Sequence, residues 1–321
     1  MLTCIRRMAL TLGALALFAG TAAAQSNFKV TLLGTGAPTL DINRFSMSTL
    51  VEAGPHKLLF DAGRGVSLRL SQLNLPLGKV DVVFLTHFHS DHLVGLPDFW
   101  LSGWSPSPYG QRKGPLRVSG PVGVKDLMNG LQRAFAADIR IRIDNEHRPE
   151  EAVKVDAREF NAEGVVFDED GVKVTMFDVD HGDKIKPSVG YRVDYDGRSV
   201  VLSGDTKFSE NLIKHATGVN LLIHEVAVAR PEVMGDPFIQ AIMAHHVTPK
   251  EAGVVFTRTK PKLAVYSHLV FQNRPQFPPV GVKDIVEQTK ESYTGPFEVG
   301  EDLMAFEITA DQVKTIPFDK K

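Results

Sequence analysis

Cysteine is almost absent: Cys4 is the only one in 321 residues. It precedes an apolar stretch, Met8 to Gly20, which follows Arg6-Arg7 and runs into Thr21-Ala22-Ala23-Ala24. A positive start, an apolar run too short to span a bilayer and an Ala-x-Ala end describe a secretory signal peptide, with cleavage expected after Ala24. An uncleaved anchor is the alternative, and Arg6-Arg7 hints at twin-arginine export. Cys4 is not placed as a lipid-bearing cysteine at a cleavage site. Its removal would leave residues 25–321 with no disulfide, no thiolate metal ligand and no cysteine nucleophile. The expected location is periplasmic or secreted.

Charge of one sign is also missing. Lys and Arg number 36 against 38 Asp and Glu, a net charge of −2 that becomes −4 once Arg6 and Arg7 are cleaved away. No basic face follows from that balance, so no nucleic-acid partner is expected. No later apolar run is long enough to cross a membrane, so no stable insertion is expected after signal cleavage. Gly34-Thr35-Gly36-Ala37-Pro38 lacks the G-x-x-x-x-G-K pattern of a phosphate loop and reads as a tight turn. With no internal repeat and no linker, residues 25–321 are expected to form one domain, with homo-oligomerisation left open.

What is present is concentrated in Thr86-His87-Phe88-His89-Ser90-Asp91-His92, where three imidazoles and one carboxylate fall within six residues. The stretch follows an apolar run, Val80 to Leu85, that reads as a buried strand. His-x-His puts two imidazoles on one side of an extended segment, and Asp91 with His92, past the turn, can hold a second ion. Neutral imidazole and carboxylate are the ligands expected for zinc, and less strictly for manganese or iron. A polar loop that happens to be rich in histidine is the bland alternative.

Further along, apolar strands repeatedly deliver a ligand-type residue. Val172 to Val179 runs into Asp180-His181, Arg198 to Leu202 into Ser203-Gly204-Asp205, Asn220 to Ile223 into His224-Glu225, and Lys262 to Tyr266 into Ser267-His268. Thr248-Pro249-Lys250-Glu251 is a capping box that opens a helix just after His245-His246. Phe28 to Leu33 reads as a strand, and Met47 to Ala53 with Lys57 to Phe60 as a hairpin whose turn places His56 at the surface. Val122 to Ala137 reads as a helix, and Asp144 to Arg158 as solvated charged surface. Trp100, Trp104 and Tyr109 lie close together, either packed in a core or forming an aromatic wall beside the metals.

The ordered set His87, His89, Asp91, His92, His181, Asp205 and His268 resembles the metallo-β-lactamase superfamily. Within it, the resemblance is closer to the branch of arylsulfatase, class II cyclic-nucleotide phosphodiesterase and tRNase Z. Leu59-Phe60-Asp61-Ala62-Gly63 and Ser188-Val189-Gly190-Tyr191-Arg192 also look like family motifs. The resemblance implies an α/β fold, a four-layer αβ/βα sandwich with the site at one edge between two sheets. It implies one zinc on His87, His89 and His181, a second on Asp91, His92 and His268, and Asp205 between them. Asp61 would brace the metal loop from behind. Two such ions would polarise the scissile oxygen and lower the pKa of a shared water. The resemblance also implies that Asp91 orients that water. Histidine at the second motif position argues against the di-iron redox branch, and the missing cysteine against relatives with a thiolate ligand.

Ile223-His224-Glu225 and Ala244-His245-His246-Val247-Thr248 resemble the branch's His-Glu and His-Ser-Thr motifs. They imply that His246 acts as a proton donor paired with Glu225, with His245 as the alternative and helix capping as the plain one. A carboxylate beside His246 is expected to keep that imidazole charged. tRNase Z carries a long substrate arm between the third histidine and the bridging aspartate, whereas only residues 182–204 separate them here. The arm and the export signal together lead away from tRNA. The resulting expectation is an exported dinuclear zinc hydrolase of small phosphate or sulfate esters. Its alternatives are a lactone or β-lactam hydrolase, or a non-catalytic metal-binding scaffold.

Overall fold

The computed structural model describes residues 27–319, so the expected signal segment and its cleavage point lie outside the described residues. The first half of the chain builds one sheet from β1 (Phe28–Gly34), β2 (Ser48–Ala53), β3 (His56–Phe60), β4 (Val82–Phe84), β5 (Leu116–Pro121) and β6 (Val155–Phe160). Its helices are α1 (Val66–Gln72), α2 (Ser90–Leu93), α3 (Leu96–Trp104), α4 (Val124–Ala134) and α5 (Ala136–Glu146). The second half contributes β7 (Gly164–Glu169), β8 (Val172–Asp178), β9 (Val189–Tyr195), β10 (Arg198–Leu202), β11 (Leu221–Ala229), β12 (Leu263–Gln272) and β13 (Phe297–Val299). Between these strands run α6 (Glu210–Ala216), α7 (Pro237–Met243), α8 (Pro249–Thr259) and α9 (Val282–Lys290). The chain then returns to the first sheet as β14 (Ala305–Ile308) and β15 (Val313–Ile316).

The strand orders are β15-β14-β1-β2-β3-β4-β5-β6 and β13-β12-β11-β10-β9-β8-β7. Each sheet has an antiparallel part and a parallel part, β3 to β6 in one and β10 to β13 in the other. Central strands are apolar on both faces because both faces are covered. Val30, Val51, Leu58, Phe84, Val174, Val200 and Val265 interleave between the sheets. Each such side chain contributes about 1.5–3 kcal/mol by leaving water. α1, α3 and α4 pack outside the first sheet, and α6, α8 and α9 outside the second, which makes the four-layer αβ/βα sandwich. Across the central layer Tyr191 donates its hydroxyl to the Leu85 carbonyl at 2.6 Å. That bond fixes the end of β4, where the histidine cluster begins.

Several local expectations are corrected. His56 is buried, not at the surface: it opens β3, lies 2.9 Å from Asp170 and meets the Phe167 ring edge-on. The single helix expected from Val122 is two, α4 and α5, and the charged stretch after them contains the edge strand β6. β11 and β12 do not end at their ligand-type residues. They run on, and their register shifts between His224 and Val226, where Ser267-His268 faces Glu225 alone. His268 takes a φ of 49° there. The extra residue of such a bulge re-aims a side chain in mid-strand.

Candidate metal centre

The parallel strands bring their carboxyl ends to one edge of the sandwich, the usual ligand position in open α/β sheets. β4 ends at Phe84, and an extended His89 then starts the one-turn helix α2, whose first turn holds Asp91 and His92. His181 follows β8, Asp205 follows β10, and His268 sits at the β12 bulge. Two donor sets result, His87, His89, His181 and Asp205 on one side and Asp91, His92 and His268 on the other. The candidate ligand atoms within each set lie no more than 4.8 Å apart. Asp205 Oδ2 stands between them, 3.8 Å from His87 Nε2, 3.6 Å from His181 Nε2, 3.4 Å from His92 Nε2 and 3.3 Å from His268 Nε2. All seven positions suggested by the sequence are therefore brought together.

The outward ring nitrogens show what the inward ones are. Asp61 Oδ2 accepts from His92 Nδ1 at 2.7 Å, and the His245 carbonyl accepts from His181 Nδ1 at 2.8 Å. Thr86 Oγ1 donates to Asp61 at 2.8 Å and lies 3.0 Å from His87 Nδ1, so it accepts that nitrogen's proton. In the neutral tautomers fixed this way, the inward Nε2 atoms carry bare lone pairs. His87 Nε2 and His181 Nε2 stand 3.0 and 3.3 Å from the same His89 Nδ1, where one proton can serve only one of them. His92 Nε2 is buried and makes no hydrogen bond, with Asp205 Oδ2 at 3.4 Å and Asp91 Oδ2 at 3.6 Å. Convergent lone pairs, buried and unsatisfied, fit divalent cations.

The electrostatics agree. Burial holds His87 well below its ordinary value, lowers His89 and pushes His181 down to about 3, so these imidazoles are neutral donors. Burial also works against charge on His92 and His268, but Asp205, with Asp61 or Asp91, draws both upward. Burial would raise the carboxyl of Asp205, yet the imidazoles around it hold it well below its usual range. Asp91 is lowered in the same way, against burial, by His268 and His92. That half of the cluster is thus a place where positive charge is stabilised.

His246 lies beside this cluster, with its ring 5.7 Å from that of His268 and Nδ1 3.2 Å from Glu225 Oε1. The expectation that a carboxylate keeps His246 charged is corrected. Burial lowers His246 to about 4, and it raises Glu225 well above its ordinary value, with Asp205 adding to the rise. Glu225 Oε1 instead accepts from the backbone of Thr206 and Val247, each at 3.1 Å, and so ties the Asp205 loop to the His246 loop. His245 is less buried, and its carbonyl orients His181.

A cavity of about 620 Å³ opens onto His89, Asp91, Asp205, His246 and His268. Its walls include Pro38 and Thr39, Phe238 and Ile242 from α7, Phe271 near the end of β12, and Arg274 just after it. A larger groove of about 910 Å³, lined by Gln240 and Met243 of the same helix, reaches His246 but none of the seven positions. The aromatic wall expected from Trp100, Trp104 and Tyr109 is not there. Both tryptophans are buried in the layer outside the first sheet, donating to the Val153 and Pro149 carbonyls, each at 2.8 Å. Tyr109 is exposed and lies outside the cavity lining. Phe238 and Arg274 were missed, although Asp236-Pro237 is a readable helix start: Asp236 Oδ1 caps α7 by accepting from Phe238 N at 2.8 Å.

Residues 56–269 match the family described as "Beta-lactamase superfamily domain", a span that holds Asp61, all seven positions, Glu225 and His246. A protein named Ribonuclease Z from Mycobacterium avium (strain 104) is 34% identical over 293 residues, covering 88% of this chain and 99% of the relative. One of the same name from Mycobacterium bovis (strain BCG / Pasteur 1173P2) is 32% identical, covering 87% and 98%. Among solved structures, the metallo-β-lactamase fold protein YhfI from Bacillus subtilis superposes with a TM-score of 0.68 at 18% identity, covering 88% of this chain and all of that one. The short form of human tRNase Z gives 0.63 at 22%, covering 87% and 99%.

These relatives overturn two expectations. A hydrolase of small phosphate or sulfate esters, with lactones or β-lactams as runner-up, does not match proteins named for a ribonuclease along nearly their whole length. The expected absence of a nucleic-acid partner falls with it; it rested on the net charge, a sum that says nothing about one cavity, and on the short 182–204 segment and the export signal, neither of which has to differ for the match to Ribonuclease Z to hold. Family, fold and donor set together make the chain a metal-dependent hydrolase. It belongs to the β-lactamase superfamily, in its tRNase Z-like branch.

Proposed function

We propose that this protein cleaves phosphodiester bonds in RNA, with two zinc ions held by His87, His89 and His181, by Asp91, His92 and His268, and by Asp205 between them. The observation that carries the reading is the match to Ribonuclease Z along 99% of that relative, with the seven donor positions inside the matched span. Bound there, two divalent cations supply Lewis-acid stabilisation of the phosphoryl charge and make a water more acidic.

The chain's own residues do the rest. Asp61 and the His245 carbonyl hold their imidazoles in the tautomer that presents a lone pair. Asp91 accepts a proton as the attacking water forms its bond to phosphorus. His246 gives its Nε2 proton to the oxygen that leaves and takes up at Nδ1 the proton of the Glu225 carboxyl, which stands 3.2 Å away and which burial keeps protonated. Residues 182–204 are taken up mainly by the β9–β10 hairpin of the second sheet, so substrate selection falls to the cavity walls.

The test is cleavage of a transfer-RNA precursor and of an unstructured RNA by the zinc-loaded protein. Cleavage that stops on chelation is expected; turnover of bis(4-nitrophenyl) phosphate with neither RNA cut would sink the reading. We propose also that residues 1–24 act as an export signal, which puts this activity outside the cytoplasm. Amino-terminal sequencing of protein from a fractionated host should then begin at Gln25, and an intact Met1 in the soluble cytoplasmic fraction would refute it.

A further inference from the structure

Phe238 is a large apolar side chain left 62% exposed at the rim of the cavity that opens onto the metal cluster. A single exposed apolar residue needs no explanation, but this one is held in place from two directions. Asp236 accepts the Phe238 backbone N–H at 2.8 Å. The same carboxylate grips Arg274 across 38 positions of sequence, with contacts of 2.7 Å to Nε and 2.6 Å to Nη2. Arg274 in turn lies over the Phe238 ring, its guanidinium carbon 5.7 Å from the ring centre. One carboxylate thus fixes an aromatic ring and a planar cation against each other beside the reacting position.

The charge at this rim distinguishes between the parts of a nucleotide. Arg274 is neutralised by Asp236, so the pair offers no net attraction for a phosphate, and the phosphate's place is the metal cluster. A flat aromatic surface with a neutralised cation behind it suits a neutral π-system. Ile242 and Phe271 continue the apolar wall toward the cluster. Resting on the reading of this protein as an RNA phosphodiesterase, we propose that Phe238, set by Asp236 and Arg274, is the stacking platform for an unpaired base next to the scissile phosphodiester. The substrate class is then RNA that is single-stranded at the cleavage point, because a paired base has no face to offer.

The experiment is a four-member cycle on an RNA oligonucleotide with one cleavage point. Wild-type and Phe238→Ala proteins are each given the intact RNA and RNAs with one abasic nucleotide, moved stepwise along the positions flanking the scissile bond. On intact RNA the substitution should raise KM on the order of 10- to 100-fold, the usual worth of one stacked base. At one position the abasic nucleotide should cost the wild type a similar factor and the variant almost nothing more. 2-Aminopurine at that position should lose fluorescence on binding the wild type and keep it with Phe238→Ala, while Phe238→Trp should restore both readouts. Independent costs at every position would overturn the stacking platform while leaving the RNA phosphodiesterase standing. No RNA cleavage by the wild type would instead overturn that function and the platform with it.

Discussion

Asp61 and His92 stand 31 residues apart, yet Asp61 Oδ2 accepts the His92 Nδ1 proton at 2.7 Å in a wholly buried contact. Asp61 also accepts from the backbone and hydroxyl of Thr86, each at 2.8 Å, and through that hydroxyl it reaches His87. A single carboxylate therefore sets the ring orientation of one imidazole in each half of the cluster. It does so from a left-handed backbone position, φ 57°, that few residues other than glycine adopt.

Asp61→Ala should accordingly weaken metal binding without removing any proposed ligand. A loss of about 10- to 100-fold in zinc affinity is expected, the usual cost of deleting such a supporting partner. Competition with a chelator measures it. Unchanged affinity would mean that the imidazoles are held well enough by packing alone.

The local chemistry of this site was legible in the sequence because four of its donors fall between His87 and His92 and the other three each follow an apolar run. The central strands were legible for a related reason: buried on both faces, they read as continuous apolar runs, as in Val82-Val83-Phe84. Edge strands gave no such signal. Val155-Asp156-Ala157-Arg158-Glu159-Phe160 carries an Arg158–Asp156 pair facing solvent and looks like a charged loop until β5 is seen beside it. Trp100 and Phe238 show the limit for aromatic residues. Both stand on helices near histidine motifs, and only the packing of α3 against the first sheet and of α7 along the cavity tells core from wall. The cavity itself could not be read, because it depends on Asp236 meeting Arg274 in space.

Asp205 should matter to both halves of the cluster at once. Its Oδ2 lies within 3.3–3.8 Å of four imidazole nitrogens drawn from both donor sets. Asp205→Ala is expected to lower bound zinc from about two ions per chain to one or fewer, as a two-metal site sharing one carboxylate requires. Elemental analysis of the folded variant provides the check; full occupancy would refute the shared position of Asp205.

His224 makes stability depend on pH away from the metal donors. It is buried and donates Nδ1–H to the Glu225 carbonyl at 2.8 Å, and burial pushes its pKa down to about 4, with that bond only partly offsetting it. The unfolded chain takes up this proton near pH 6.5 and the folded chain does not until about pH 4. Between those values the unfolded state binds more protons, so stability falls as the pH falls, by up to about 3 kcal/mol. In urea unfolding of the metal-free protein, His224→Gln should lack this component. The wild-type advantage over the variant should shrink from pH 6.5 to 4; a difference independent of pH would contradict the argument.

His246 provides the sharpest test of the proposed chemistry. It is buried beside His268 and Asp205, with Nδ1 toward Glu225 and Nε2 left for the cavity. Burial keeps the ring neutral down to about pH 4 and raises the Glu225 carboxyl beside Nδ1, so the proton given from Nε2 is replaced at Nδ1 from Glu225 and does not come from a standing positive charge. Such a donor is worth most when that oxygen is a poor leaving group. His246→Ala should retain two bound zinc ions and lose roughly 10²–10⁴ in turnover of RNA, where a ribose oxygen must leave. For bis(4-nitrophenyl) phosphate, whose nitrophenolate departs without a proton, the loss should be much smaller. Glu225→Gln should lose less than His246→Ala, since the amide oxygen keeps the backbone bonds of Thr206 and Val247 but the side chain has no carboxyl proton to replace the one His246 gives. Equal losses for the good and the poor leaving group would show that His246 supports the fold of the site and takes no part in proton donation.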